Sequence, residues 1–64
     1  MNTDKLKEAI KESGLKKAYL AQQLGLSAPT FRSKVNGLSA MTYDEVAKLK
    51  YLLKLSDKEF HEIF

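Results

Sequence analysis

The 64-residue chain contains no cysteine. Neither a disulfide framework nor a thiolate zinc site can therefore stabilise so small a core. A chain of this length builds only one core, which excludes a multi-step enzyme with a cofactor domain of its own. Apolar residues make up 44% of the chain and charged residues 30%, as in ordinary folded domains. The composition predicts a single folded domain over residues 1–64.

Long hydrophobic runs are missing as well. The longest uninterrupted apolar run has four residues, 18–21, whereas a membrane-spanning helix needs about 20. No basic-then-apolar leader precedes this run. We therefore expect a cytoplasmic protein that does not interact with a membrane.

Residues that favour strands are scarce, and apolar residues recur at spacings of three and four without any period-two alternation. This pattern predicts an all-α fold of five short helices. The first is capped by Thr3, the second runs over about residues 16–24, and the third follows a cap at Ser27 and runs to about residue 36. Glycines 14, 25 and 37 are expected to end these three helices.

The last two helices have the most complete start signals. Each begins with a capping box, in which a hydroxyl residue and a glutamate three residues later satisfy each other's backbone amides. The two boxes are Thr42 with Glu45 and Ser56 with Glu59. These caps also account for the hydroxyl groups without any nucleophilic chemistry. Three tyrosines are expected to be half-buried helix residues with a wet hydroxyl: Tyr19, Tyr43 and Tyr51.

Acidic residues are absent from residues 13–43. The same segment contains four basic residues, namely Lys16, Lys17, Arg32 and Lys34. The net charge of +3 is too small to indicate a partner, but an acid-free basic segment favours binding to a polyanion. Solvated lysines on a helix surface would explain the four charges equally well.

The second and third helices have the features of a helix-turn-helix. Ala21 is small enough for two helices to cross closely, and Gly25 suits a tight turn. Four apolar residues are placed to face inward and set the crossing angle: Leu20, Leu24, Leu26 and Phe31. A generic helical hairpin with the same glycine turn is the alternative.

The stretch KKAYLAQQLGLSAPTFRSKVNG resembles the helix-turn-helix of the lambda repressor and Cro family of phage regulators. The matching features are Leu-Ala before the turn, Leu-Gly-Leu-Ser through it and the closing Asn-Gly at residues 36 and 37. The resemblance covers about residues 4–53, and residues 55–64 are similar to the ends of short repressor or Cro-like proteins. It implies a compact five-helix domain, with the helix-turn-helix at about 17–36 and C-terminal helices over 42–64. It also implies a transcriptional repressor of phage or prophage type that binds a double-stranded DNA operator as a dimer.

The resemblance further implies which residues contact DNA, with a recognition helix at about 28–36 in the major groove. The base-facing candidates are Ala28, Pro29, Thr30, Arg32 and Ser33. The candidates for the DNA backbone are Lys16, Lys17, Lys34 and Asn36. Among the base-facing residues only arginine has the bidentate donors that suit guanine. Lys34 departs from the family, which commonly has a core residue there; we expect Val35 to pack instead and Lys34 to reach outward to phosphate.

The apolar cluster of Phe60, Ile63 and Phe64 is a candidate surface for a weak homodimer, one that forms on DNA. Alternatively, these residues simply close the core over the first helix. A second function remains open: a protein-binding, antirepressor-like module that uses this apolar face. An enzyme is not expected because no nucleophile and base assemble. The lone His61 lacks partner ligands, so we expect no metal, no cofactor and no small-molecule ligand.

Overall fold

The protein consists of five α-helices and contains no strand. The predicted all-α fold is therefore confirmed. The computed structural model describes all 64 residues. In chain order the helices are α1 (Thr3–Ser13), α2 (Lys17–Gln23), α3 (Ala28–Val35), α4 (Tyr43–Leu52) and α5 (Asp57–Ile63). None of them has both the length and the apolar character that crossing a membrane requires.

The helix starts follow the cap residues, with one correction. Both capping boxes are present, at the starts of α4 and α5, and the Ser27 side chain accepts a hydrogen bond from the Thr30 amide at the start of α3. The expectation that Thr3 caps α1 is wrong. Asn2 Oδ1 accepts the Lys5 amide at 3.0 Å instead, because asparagine caps at least as well as threonine and begins the helix one residue earlier.

The first three helices end at glycines, as predicted. Gly25, between α2 and α3, has a φ of +71°, a left-handed conformation that costs a residue with a Cβ about 1–2 kcal/mol. Gly37, after α3, has a φ of +78°, and an added Cβ would lie only 3.2 Å from Cγ2 of Thr3. Both the conformation and the close approach of α1 therefore require glycine at position 37.

Helix α4 ends in the same left-handed cap but without a glycine. Lys54 has a φ of 54° and is the only non-glycine residue with a positive φ. Its amide donates to the Tyr51 carbonyl at 3.2 Å, and the Leu55 amide donates to the Lys50 carbonyl at 3.1 Å. These are the two hydrogen bonds of a Schellman cap. No glycine marks this end, so the sequence did not predict it.

We expect the substitution Lys54→Gly to stabilise the protein by about 0.5–1 kcal/mol. The relief of left-handed strain exceeds the entropy that glycine adds to the unfolded chain. Thermal unfolding followed by circular dichroism should show a midpoint higher by about 2–8 °C. The matched control is Lys58→Gly inside α5, which should lower the midpoint because glycine disfavours a helix interior. A lowered midpoint for Lys54→Gly would contradict the left-handed conformation of Lys54.

One hydrophobic core joins all five helices. Helix α2 packs on α3 and α4, and α1 packs on α3 and α5. The largest fully buried side chain is Phe31. The complete set of core residues is Leu6, Ile10, Leu20, Ala21, Leu24, Phe31, Val35, Leu49, Leu53, Leu55 and Ile63. Since Phe31 and Val35 come from α3, the core directly supports the helix that the sequence singles out.

The tyrosines are more exposed than the sequence indicates. Tyr19, Tyr43 and Tyr51 are 43%, 86% and 82% exposed, so the expectation that all three are half-buried is wrong. In α4 the buried positions are taken by Glu45 and Leu49, and Leu53 just after the helix is buried as well. Tyr51 lies two residues after Leu49, which turns it about 200° away from the core.

The C-terminal apolar cluster lies against the core. Ile63 is only 5% exposed, and Phe60 and Phe64 pack half-buried on the same core. The Asn2 amide donates to the Ile63 carbonyl at 2.7 Å, which ties α5 to the start of α1. The cluster thus closes the core over α1, and its prediction as a dimer surface is wrong for Ile63, whose side chain no partner can reach.

Candidate nucleic-acid interface

The turn between α2 and α3 consists of residues 24–27. The Gly25 amide donates to the Gln22 carbonyl at 3.0 Å, and the Leu26 amide donates to the Ala21 carbonyl at 2.9 Å. Ala21 itself is 3% exposed. These contacts give the chain a short reversal, after which α3 packs on α2.

Helix α3 has one buried side and one open side. Phe31 and Val35, four residues apart, are 1% and 3% exposed, so the predicted packing role of Val35 is confirmed. Four of the five predicted base-facing residues lie at the surface: Ala28, Pro29, Thr30 and Arg32. The fifth, Ser33, is half-buried. Arg32 follows Pro29 by three residues, so the two share the exposed side of the helix.

The first turn of α3 holds a hydroxyl donor in a fixed position. The Ser27 hydroxyl donates to Thr30 Oγ1 at 2.8 Å, while Ser27 Oγ accepts the Thr30 amide at 3.4 Å. The proton of the serine hydroxyl is therefore already used within the protein. Thr30 still has its own hydroxyl proton to donate, and the hydrogen bond that it accepts from Ser27 holds Oγ1 in place.

Three of the four basic residues within residues 13–43 have no acidic partner. The protein has three ion pairs, which are Lys5 with Glu62, Lys34 with Glu45 and Lys50 with Asp57. Lys16, Lys17 and Arg32 take part in none of them and are exposed. Asn36, just after α3, is exposed as well. The segment therefore presents cations and amide donors to solvent with no acid among them.

The expected outward reach of Lys34 is wrong. Its Nζ lies 2.8 Å from Oε1 and 3.0 Å from Oε2 of Glu45, and the two side chains are only 14% and 11% exposed. A buried carboxylate needs a cation close by, and Lys34 is the one that α3 supplies. Lys34 is therefore not among the residues available to a DNA phosphate.

Glu45 connects α3 to the first turn of α4. Its Oε1 accepts the Thr42 amide at 2.8 Å as well as the Lys34 ammonium. The hydrogen bond from Lys34, followed by that from Thr42, lowers the pKa of the Glu45 carboxyl against the opposing effect of burial. Sequence reasoning missed this pairing because the capping box already explained Glu45, and the 11-residue separation from Lys34 has no helical periodicity.

The arrangement offers an arginine fork, a threonine hydroxyl, an asparagine amide and two free lysines along one helix pair. Groups of this kind pair with phosphate oxygens and with base edges. Comparison with known proteins finds no matching family model, curated protein or solved structure. The surface itself is therefore the basis for a functional proposal.

Proposed function

We propose that the protein is a sequence-specific double-stranded-DNA-binding repressor that uses α2 and α3 as a helix-turn-helix. The observation that carries this proposal is the tightly turned α2–α3 pair, whose exposed residues include Lys16, Lys17 and Arg32 without an acidic partner. Helix α3 has 8 residues, which gives a length of about 12 Å. A major groove is about 12 Å wide and admits such a helix.

The exposed residues divide into base readers and backbone contacts. Arg32 is the side chain that reads guanine through O6 and N7. Thr30 and Ser33 add single hydrogen bonds, while Ala28 and Pro29 have only apolar surface, which suits a thymine methyl. The backbone set consists of Lys16, Lys17 and Asn36. Lys34 is left out because its ammonium is paired with Glu45.

Repression follows from occupancy of a promoter. One short helix reads too few bases to define a site, so two copies bind half-sites about 34 Å apart on one face of the duplex. The protein then blocks access by its bulk, as proposed for the phage Cro and repressor type that the sequence resembles. The alternative of a protein-binding module on the face of Phe60, Ile63 and Phe64 has less support, because Ile63 is buried.

The proposal is tested by selecting random duplex DNA with the purified protein at about 0.15 M salt. We expect a two-fold related motif with half-sites about one helical turn apart. With Lys16 and Lys17 from two copies on phosphate, the logarithm of the affinity should change with the logarithm of salt with a slope of about −4. An unenriched pool, or a slope near zero, would rule out the proposal.

Two alanine variants separate reading from backbone contact. Arg32→Ala should reduce the preference for the selected site over random DNA by about tenfold or more. Lys17→Ala should weaken both alike and make the salt slope shallower by about 2 for two copies. The control is Lys7→Ala, an exposed lysine of α1 that should change neither. Fluorescence anisotropy with both duplexes measures these effects, and identical losses from both variants would contradict the division of roles.

A further inference from the structure

One apolar patch of the protein lies open at the surface beside the end of α3. Leu38 is 79% exposed and Met1 is 52% exposed, and the other exposed large hydrophobic residues are all tyrosines. Leu38 and Met1 line the same depression of about 650 Å³, between the start of α1, the α3–α4 loop and α4. We call its apolar lining the Leu38 patch: Met1, Leu38, Ala40, Met41, Val46 and Phe64.

Leu38 differs from the three other leucines in the same structural position. A leucine follows each residue with a left-handed conformation, at Leu15, Leu26, Leu38 and Leu55. In such a cap the following apolar side chain normally packs back on its own helix. Leu15 and Leu26 are half-buried and Leu55 is 9% exposed. Only Leu38 is turned out to solvent, so its side chain lacks an intramolecular contact that its counterparts make.

The scarcity of charge in the patch suits a second copy of the chain: no side chain of its lining is ionisable, although Met1 also has an α-amino group. None of the ten residues around the depression has a charged side chain, although 30% of the chain is charged. A surface that meets its own copy across a two-fold axis brings identical groups together, so any charge there meets a like charge. The larger open groove of about 790 Å³ is lined by Lys50, which is paired with Asp57, and by Lys54, which has no acidic partner. Pairing of two copies through this groove would bring Lys54 against Lys54, so the groove is less suited to it.

We propose that the Leu38 patch is the contact between two copies of this chain, with Leu38 of each copy seated in the depression of the other. This inference rests on the proposed function, which requires two copies on one operator. None of the predicted base-facing residues lines the patch, and Asn36 is the only proposed DNA contact that does. Pairing through the patch therefore leaves the exposed side of α3 free. The patch is small, so the pairing is weak in solution and strengthens on DNA.

Site-directed cross-linking tests the contact directly, because the chain contains no cysteine. The variant Leu38→Cys introduces a single thiol into the patch. Under a mild oxidant, which takes up the two thiol protons and two electrons, it should form a disulfide-linked dimer at least tenfold faster than Tyr51→Cys. The control thiol is at a site that is 82% exposed in the native chain but lies in the lysine-lined groove. Equal rates for the two variants would overturn the proposal.

A second variant connects the patch to DNA binding. Leu38→Asn, which is polar but uncharged, should retain the native unfolding midpoint, since the leucine is already exposed. It should bind a duplex with one half-site as the native chain does, but lose at least tenfold in affinity for two half-sites. Undiminished two-site affinity would overturn the Leu38 contact while leaving DNA binding intact. If instead Leu38→Cys cross-links rapidly but no duplex is bound, the proposed function fails and the contact between copies stands.

Discussion

Replacement of Glu45 by alanine is expected to lower the free energy of unfolding by about 3 kcal/mol. Removal of one partner from a buried ion pair costs about 3–5 kcal/mol, because the other charge remains without compensation. The lower end applies here, since the two side chains retain 14% and 11% exposure. The variant also loses the capping contact to the Thr42 amide. A domain of this size has about 3–10 kcal/mol in total, so Glu45→Ala should lose about a third of its stability or more.

Urea unfolding at pH 7 measures this loss, with two comparisons that identify its cause. Glu8→Ala removes an exposed glutamate of α1 and should change the stability by less than about 0.5 kcal/mol. The double replacement Lys34→Met with Glu45→Leu should recover most of the loss, because apolar side chains of similar volume fill the same space without stranded charge. A Glu45→Ala variant as stable as Glu8→Ala would refute the pairing.

The same glutamate makes stability depend on pH in a predictable direction. Its pKa in the folded protein lies below the ordinary value of 4.5, chiefly because of Lys34. The stabilisation is therefore fully present above the unfolded pKa and is lost as the pH falls through the lowered folded pKa. The pKa of Asp57 is lowered by Lys50, so this carboxylate also makes stability depend on pH in the acid range. Urea unfolding measured as a function of pH gives this dependence. Comparison of Asp57→Asn with the double variant Asp57→Asn, Glu45→Gln isolates the contribution of Glu45 to the free energy of unfolding.

Replacement of Phe31 by alanine should have the largest effect on the fold, a loss of about 3–5 kcal/mol. The ring is 1% exposed and is the largest fully buried side chain. Its removal forfeits the transfer free energy and leaves a cavity under α3. Because this loss is about a third or more of the whole stability of so small a domain, we expect a thermal midpoint far below that of the native chain at neutral pH.

Phe64→Ala is the matched control for the loss at Phe31. The same ring is removed from a half-buried position on the core, so the loss should be clearly smaller and a cooperative transition should remain.

If the proposed function is correct, operator DNA at about 100 times its dissociation constant should add about 2.7 kcal/mol to any variant that still folds. Phe31→Leu, which keeps part of the volume, is the variant in which to observe this. Equal midpoints for Phe31→Ala and Phe64→Ala would show that Phe31 does not centre the core.

The helices themselves were accessible from the amino-acid sequence. The starts of α3, α4 and α5 follow their hydroxyl caps, and the ends of α1 to α3 follow glycines. Caps and left-handed turns involve backbone groups within about five residues, so their signals lie next to each other in the chain. The end of α4 was missed because Lys54 takes the left-handed conformation that glycine normally marks.

The orientation of individual side chains was not accessible in this way. Lys34 was expected to face solvent, and its pairing with Glu45, 11 residues away, reverses that. Ile63 was expected to be available to a partner, but the hydrogen bond from Asn2 and the packing of α5 on α1 bury it. Local pattern thus determined the five helices, most of their ends and the basic character of the α2–α3 segment. Only the tertiary structure decided which cations remain unpaired and which apolar residues remain exposed, because burial depends on segments distant in the chain.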